Sequence, residues 1–238
     1  MKKIILVFVI GLYITPSNLK AQNEGTVAAL GGLLAIGSGI ASVEQLKEKL
    51  EHKAVEEILS NHNMSYFKIK TSTLDGVSGK DVSSVSVVTY EVYNYDLNKR
   101  YILFSFLSSG WSNSNGMDFS KVKWKLFDAT EWNNLIKSYI KTASKKDLPI
   151  EDINKCKVTW KGVLLDNKYV VNFKKIDGDT YLTSDYSDEF KIVFNEGRLG
   201  IYLKNMEGND AEYSKLRGSL VQIRKKAIIR AHSYINFQ

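Results

Sequence analysis

The chain has one cysteine, two prolines and three histidines among 238 residues. Each scarcity closes a class of explanation. With Cys156 alone there is no intramolecular disulfide framework, and the thiol in Lys155-Cys156-Lys157-Val158 reads as buried and inert. Pro16 and Pro149 are too few for a proline-rich linker, and no low-complexity tail is present. His52, His62 and His232 show no HxxxH, HExxH or paired Cys/His spacing, so no zinc site is expected and the three read as surface histidines.

Other motifs are missing too. Ser108-Ser109-Gly110-Trp111-Ser112 lacks the Gly-x-Ser-x-Gly spacing of a nucleophile elbow. The glycines between Gly31 and Gly39 are not followed by Lys-Ser/Thr, so they form no phosphate loop. The acidic groups Asp177-Gly178-Asp179 and Asp185-Tyr186-Ser187-Asp188-Glu189 lack the calcium-loop pattern, and Asp177-Gly178 reads as a hairpin turn. No catalytic residue, cofactor or metal is therefore assigned.

What is present begins with an export signal. Met1-Lys2-Lys3 is a positive leader, Ile4–Ile14 an apolar core too short to span a bilayer, and Leu19-Lys20-Ala21 a small-residue end, which places cleavage after Ala21. The net charge of +7 falls to +4 once residues 1–21 and their three lysines are gone. That balance is too mild for nucleic-acid binding.

From Gly25 to Val43 no residue is charged, yet five of the nineteen are glycine, which makes a lone lipid-facing span unfavourable. Gly31, Ala35 and Gly39 recur every four residues and give a helix one small-residue face that expects a close neighbour. An amphipathic helix follows directly, with Val43, Leu46, Leu50, Ala54 and Ile58 as its apolar stripe, ending near residues 61–63.

Beyond residue 64 the pattern alternates. Strands are expected at Tyr66–Thr71, Val85–Tyr95, Arg100–Leu107 and Lys121–Phe127, with a turn at 96–99. A helix over Thr130–Ser144 follows, capped by Asp128 with Glu131 three residues on, burying Trp132, Leu135, Ile136, Tyr139, Ile140 and Ala143. After the boundary at 145–149, strands are expected at Lys157–Val163, Tyr169–Lys175, Thr180–Thr183, Phe190–Phe194 and Leu199–Lys204. A last helix is expected from Ser219 to Ile235, its start set early so that Arg224, Lys225 and Lys226 avoid the positive end of the dipole.

The expected class is α+β: an N-terminal helix in which a small-residue segment runs into an amphipathic one, then mostly antiparallel sheet with one mid-chain and one C-terminal helix. The organisation reads as a cleaved signal at 1–21, a helical segment at 22–63, and β-rich parts at 64–148 and 149–238, each ending in a helix, which together form one domain or two.

Three surfaces stand out. The small-residue face of Gly31, Ala35 and Gly39 is one. The loop Gly110–Met117 carries Trp111, and long loops bearing an aromatic side chain are favoured contact sites. In Lys121-Val122-Lys123-Trp124-Lys125-Leu126, period-two alternation sets Lys121, Lys123 and Lys125 opposite Val122, Trp124 and Leu126, and Lys155, Lys157, Thr159 and Lys161 oppose Val158 and Trp160 in the same way.

The signal, the paired helical segments and the stretch DFSKVKWKLFDATEWNNLIKSYIKTAS (118–144) together resemble the small exported proteins of Gram-negative cell envelopes. The export signal, the small-residue helical face and the missing catalytic constellations lead to the expectation of a non-enzymatic protein of the periplasm or outer-membrane periphery. It would act through a protein partner, with membrane contact through 25–43 and no nucleic acid, as an accessory subunit of a larger complex. Two alternatives remain open at this point: a secreted ligand-binding module using the 108–117 loop and the lysine faces, and a hydrolase built from separated residues such as Asp177, Asp179, Asp185 and His232.

Overall fold

The fold is given by a computed structural model, which describes residues 43–76, 85–108, 112–113, 116–173, 182–195, 198–203, 220–223 and 225–237. The architecture is α+β. Helix α1 spans Val43–Asn61 and is followed by β1 (Phe67–Gly76), β2 (Val85–Asn94) and β3 (Lys99–Ser108). A short ribbon of β4 (Ser112–Asn113) and β5 (Gly116–Met117) comes next, then β6 (Lys123–Phe127) and α2 (Ala129–Ser144). The rest comprises α3 (Ile150–Lys155), β7 (Lys157–Thr159), β8 (Gly162–Leu165), β9 (Lys168–Asn172), β10 (Leu182–Asp185), β11 (Phe190–Asn195), β12 (Arg198–Leu203), β13 (Leu220–Ile223) and α4 (Lys225–Asn236).

The strands form three antiparallel sheets besides the ribbon, in the orders β1-β2-β3-β6, β7-β8-β9 and β10-β11-β12-β13. The centre of the first sheet, β2 and β3, is buried on both faces, because period-two alternation divides its side chains between two apolar clusters. Leu46, Leu50, Ala54 and Ile58 of α1 are completely buried against one face, where they meet Val88, Tyr90, Val92 and Leu103. These four residues of the sequence-derived stripe thus form the packing stripe, and the side chain of Val43 lies outside the described ones. The opposite face presents Val87, Ile102, Phe104, Phe106 and Phe127 to α2, α4 and the second and third sheets. That larger cluster draws on residues from both sides of Pro149.

Helix α2 begins where its cap dictates. The Asp128 carboxylate accepts the Glu131 N–H at 2.8 Å, and Lys145 ends the helix in the left-handed conformation with its N–H on the Lys141 carbonyl. Five of its six expected core residues are fully buried, and Ala143 packs at their margin. Trp132 stands edge-on to both Phe104 and Phe127, with ring centroids 6.1 Å apart in each case.

Three sequence expectations change. The strand expected over Lys157–Val163 is a hairpin, with Trp160-Lys161 as its turn between β7 and β8. Thr159 Oγ1 accepts the Lys161 N–H and donates to the Gly162 carbonyl, and Gly162 has φ of 153°. A Cβ there would lie 1.9 Å from the Val171 carbonyl oxygen, so only glycine admits this close pairing. Trp160 is consequently 64% exposed rather than aligned with buried Val158, and Lys155 belongs to α3.

The second change is α3 itself, absent from the sequence reading. Pro149 precedes it and Glu151 and Asp152 fill its first turn, a combination that favours a helix start.

The third concerns the C-terminal helix expected from Ser219. Leu220–Ile223 instead form β13 on β12, and α4 starts at Lys225. The dipole penalty for basic residues at a helix start is a fraction of about 1 kcal/mol each. Strand pairing and burial of Ile223 outweigh it, and Lys225 Nζ sits 5.2 Å from the Phe173 ring centroid.

Candidate functional site

The side chains with the richest chemistry meet inside the larger cluster. His232 on α4 is buried, contrary to its expected surface position, with Nε2 3.0 Å from the Cys156 carbonyl oxygen. A carbonyl only accepts, so Nε2 carries the proton and Nδ1 is the bare acceptor. Nδ1 receives the Trp132 Nε1–H at 3.2 Å and faces the Asn236 amide nitrogen at 3.2 Å. Asn236 donates in turn to Asn133 at 2.9 Å, and Asn133 to Asn154 at 2.7 Å. The network ties α2, α3 and α4 together. Burial lowers the His232 pKa below its ordinary value, partly offset by the bond to Cys156.

Cys156 is fully buried at the α3–β7 junction, as the sequence suggested, although just outside the strand. Burial first, then the charges of Asp152 and Asp166, push its thiol up to about 11, which suppresses the nucleophilic thiolate. The Tyr139 hydroxyl is buried with no hydrogen-bond partner, and burial raises its pKa far above the usual tyrosine value.

A second internal pair joins α4 to the first sheet. Arg230 Nε contacts Glu91 Oε1 at 2.6 Å and Arg230 Nη1 the Ser72 carbonyl at 3.2 Å, where β1 bulges between Thr71 and Thr73. Such a partly buried, multiply bonded guanidinium fixes orientation.

Of the residues singled out from sequence, Gly31, Ala35, Gly39 and Trp111 lie outside the described residues, as do Asp177 and Asp179. Asp185 is exposed on β10, 3.9 Å from Lys191, whereas His232 is in the core, so these two are not brought together. His52 is exposed on α1, and His62 sits half-buried with Nε2 3.5 Å from Glu57. Among the described residues no three His, Cys, Asp or Glu side chains converge as a metal cluster, and no helix is long and apolar enough to cross a membrane.

The three lysines occupy different settings. Lys121 belongs to a 3-10 turn and lies 4.0 Å from Asp118. Lys123 is exposed on the edge strand β6, and Lys125 is half-buried between Glu131 at 4.0 Å and Glu189 at 3.5 Å. Lys125 also lines a cleft of about 550 Å³ with Lys137, Lys141, Asp147 and Tyr186. Asp147 accepts from Lys141 at 2.8 Å and lies 3.3 Å from Lys137, contacts that hold its carboxyl below the usual range. This cleft therefore satisfies its own charges.

A second cleft, of about 430 Å³, opens between the β2–β3 turn, the start of α2 and the end of α4, lined by Tyr93, Asn98, Lys99, Arg100, Asp128 and Thr130. Arg100 donates to the carbonyls of Tyr234 and Phe237 at 2.9 and 3.2 Å, with its guanidinium 5.2 Å from the Tyr234 ring centroid. Beside it, Tyr66 and Tyr95 stack with centroids 4.6 Å apart, and Tyr93 meets Tyr95 edge-on at 4.9 Å. Tyr66 is 61% exposed, Leu97 57% and Tyr95 42%. Sequence reasoning treated these tyrosines as strand residues. The available signal was a cluster of aromatics around a turn, Tyr93-Asn94-Tyr95-Asp96-Leu97, at a point where alternating burial ends.

No family model, curated protein or solved structure matches the chain.

Proposed function

We propose that this chain is a non-enzymatic exported protein of a Gram-negative envelope, in the periplasm or at the outer-membrane periphery, that works by contact rather than by turnover. The observation that carries this reading is the end of the first sheet, where Tyr66, Tyr95 and Leu97 stand exposed together beside an open cleft. Large apolar side chains gathered at one surface mark contact sites. The N-terminal segment 25–43, with its face of Gly31, Ala35 and Gly39, supplies a second contact, to a protein partner or the membrane.

The test uses the full chain in its native envelope, followed by in-cell crosslinking and membrane fractionation. Deleting residues 25–43 should leave the melting transition of the β-rich body unchanged and abolish association. Replacing Tyr66, Tyr95 and Leu97 together with serine should weaken it. Association unchanged in both variants overturns the reading. The cleft at Tyr93, Lys99 and Arg100 favours a second reading, a ligand-binding module, with the ligand held at this end of the molecule.

A further inference from the structure

We infer that the cleft bounded by Tyr93, Asn98, Lys99, Arg100, Asp128 and Thr130, together with the stacked pair Tyr66–Tyr95 beside it, is a binding site for an acidic oligosaccharide. This inference rests on the contact reading above and names the ligand of one contact surface.

Three observations converge. The first is the aromatic platform. Tyr66 and Tyr95 expose ring surface, and Tyr93 both touches Tyr95 edge-on and lines the cleft, so the rings lead without interruption from the surface into the recess. The faces of tyrosine rings are electronegative and attract the positively polarised C–H edges of a sugar ring.

The second is the lining. Asn98 offers an amide, Thr130 a hydroxyl and Lys99 an ammonium donor, all around one opening. Each sugar hydroxyl both donates and accepts, and a mixed set of this kind matches it. A protein partner is favoured by a dry apolar socket, whereas this recess is of mixed lining, with Ala129 and Ile235 as its apolar part. Its volume of about 430 Å³ is within the usual range for small-ligand sites, about 300–1,000 Å³.

The third is charge. Asp128 is occupied as the α2 cap, and Arg100 is held on two carbonyls and over Tyr234. Lys99 has no ion-pair partner among the described residues, which leaves one ammonium group at the cleft and selects a carboxylate-bearing sugar over a neutral one.

The test is calorimetric titration of the purified full chain with a tetragalacturonate oligomer and, separately, a neutral glucose tetramer of equal length. The acidic oligomer should bind more tightly. Tyr95→Ala and Tyr66→Ala should each weaken it about tenfold. Tyr95→Phe, which keeps the ring, should stay within about twofold. Lys99→Ala should bring the acidic oligomer down to the affinity of the neutral one. The replaced side chains are surface groups, and an unchanged far-ultraviolet spectrum and melting transition verify folding.

The inference is overturned if neither oligomer binds, if binding survives both alanine substitutions, or if anionic phospholipid vesicles, not sugar, show the tyrosine dependence. In each of those cases envelope association lost on substituting Tyr66, Tyr95 and Leu97 would leave the contact reading standing. Release of new reducing ends from the bound oligomer would instead overturn the non-enzymatic reading while confirming the site.

Discussion

Replacing His232 with leucine tests the buried network most directly, because the expected effect has both a magnitude and a pH signature. The imidazole is neutral, with its single proton on the nitrogen facing the Cys156 carbonyl and its bare nitrogen facing the Trp132 indole N–H and the Asn236 amide. Leucine fills a similar volume but takes the His232 bond from the Trp132 indole N–H and the Cys156 carbonyl in the core, while Asn236 keeps its bonds to Asn133. Stranding a buried polar group costs about 1–3 kcal/mol, so His232→Leu should be destabilised by about that amount at neutral pH. Protonating the wild-type ring would turn Nδ1 into a donor pointed at donors, in a site where burial already disfavours the charge.

The folded pKa therefore lies below the unfolded value of 6.5, and the unfolded chain takes up the proton first. The histidine's contribution is fully present above pH 6.5 and is lost as pH falls below it, until the folded ring itself protonates. Over that window the loss is at most about 1.4 kcal/mol per pH unit, the limit for one proton. The Cys156 thiol, pushed up to about 11, stays neutral throughout. Urea unfolding of both proteins at pH 7.5 and 5.5 isolates this group, since other titrations occur in each protein and cancel. The stability gap should shrink between those pH values, by at most about 1.4 kcal/mol. A gap that is constant or widens in acid would refute the assigned protonation state.

Other substitutions probe separate parts of the fold. Asp128→Ala removes the side-chain cap of α2 and should cost about 1 kcal/mol in urea unfolding, whereas Asp128→Asn should recover most of it. Phe104→Ala empties a site bordered by Phe106, Phe127 and Trp132 and should cost about 3–5 kcal/mol, with the Trp132 fluorescence of the folded state changed. Gly162→Ala places a methyl group against the Val171 carbonyl at a backbone conformation that suits glycine, and thermal melting should show it less stable than Gly→Ala changes at ordinary φ, which commonly stabilise by about 0.4–1 kcal/mol.

Local chemistry made several elements readable. The α1 stripe and the Asp128 cap were legible because helical periodicity and capping are written within a few residues, and tertiary packing used the same faces. The 96–99 turn was legible for a similar reason: Asn98 adopts a positive φ of 50°, which its short polar side chain tolerates. Where local preference and long-range pairing disagreed, pairing won. Leu220–Ile223 could continue a helix, but β12 presents Leu199–Tyr202 as partners, and the strand bonds and burial of Ile223 exceed the dipole penalty of starting α4 at Lys225.

The candidate site shows the same division. Sequence alone determined an α+β chain, located its two long amphipathic helices and excluded a disulfide framework, since composition and period are properties of the chain itself. It also supplied every residue of the aromatic end, but gave no reason to group them: Tyr66 stands before β1, Arg100 is the second residue of β3 and Phe237 ends the described chain. Only the tertiary structure decided that these meet, because antiparallel pairing carries Tyr66 beside Tyr95 and the packing of α4 delivers its terminal carbonyls to Arg100. His232 reversed its expected position for that reason too. A lone histidine in a basic helix looks solvent-facing until Trp132, a hundred residues away, offers its N–H in the core.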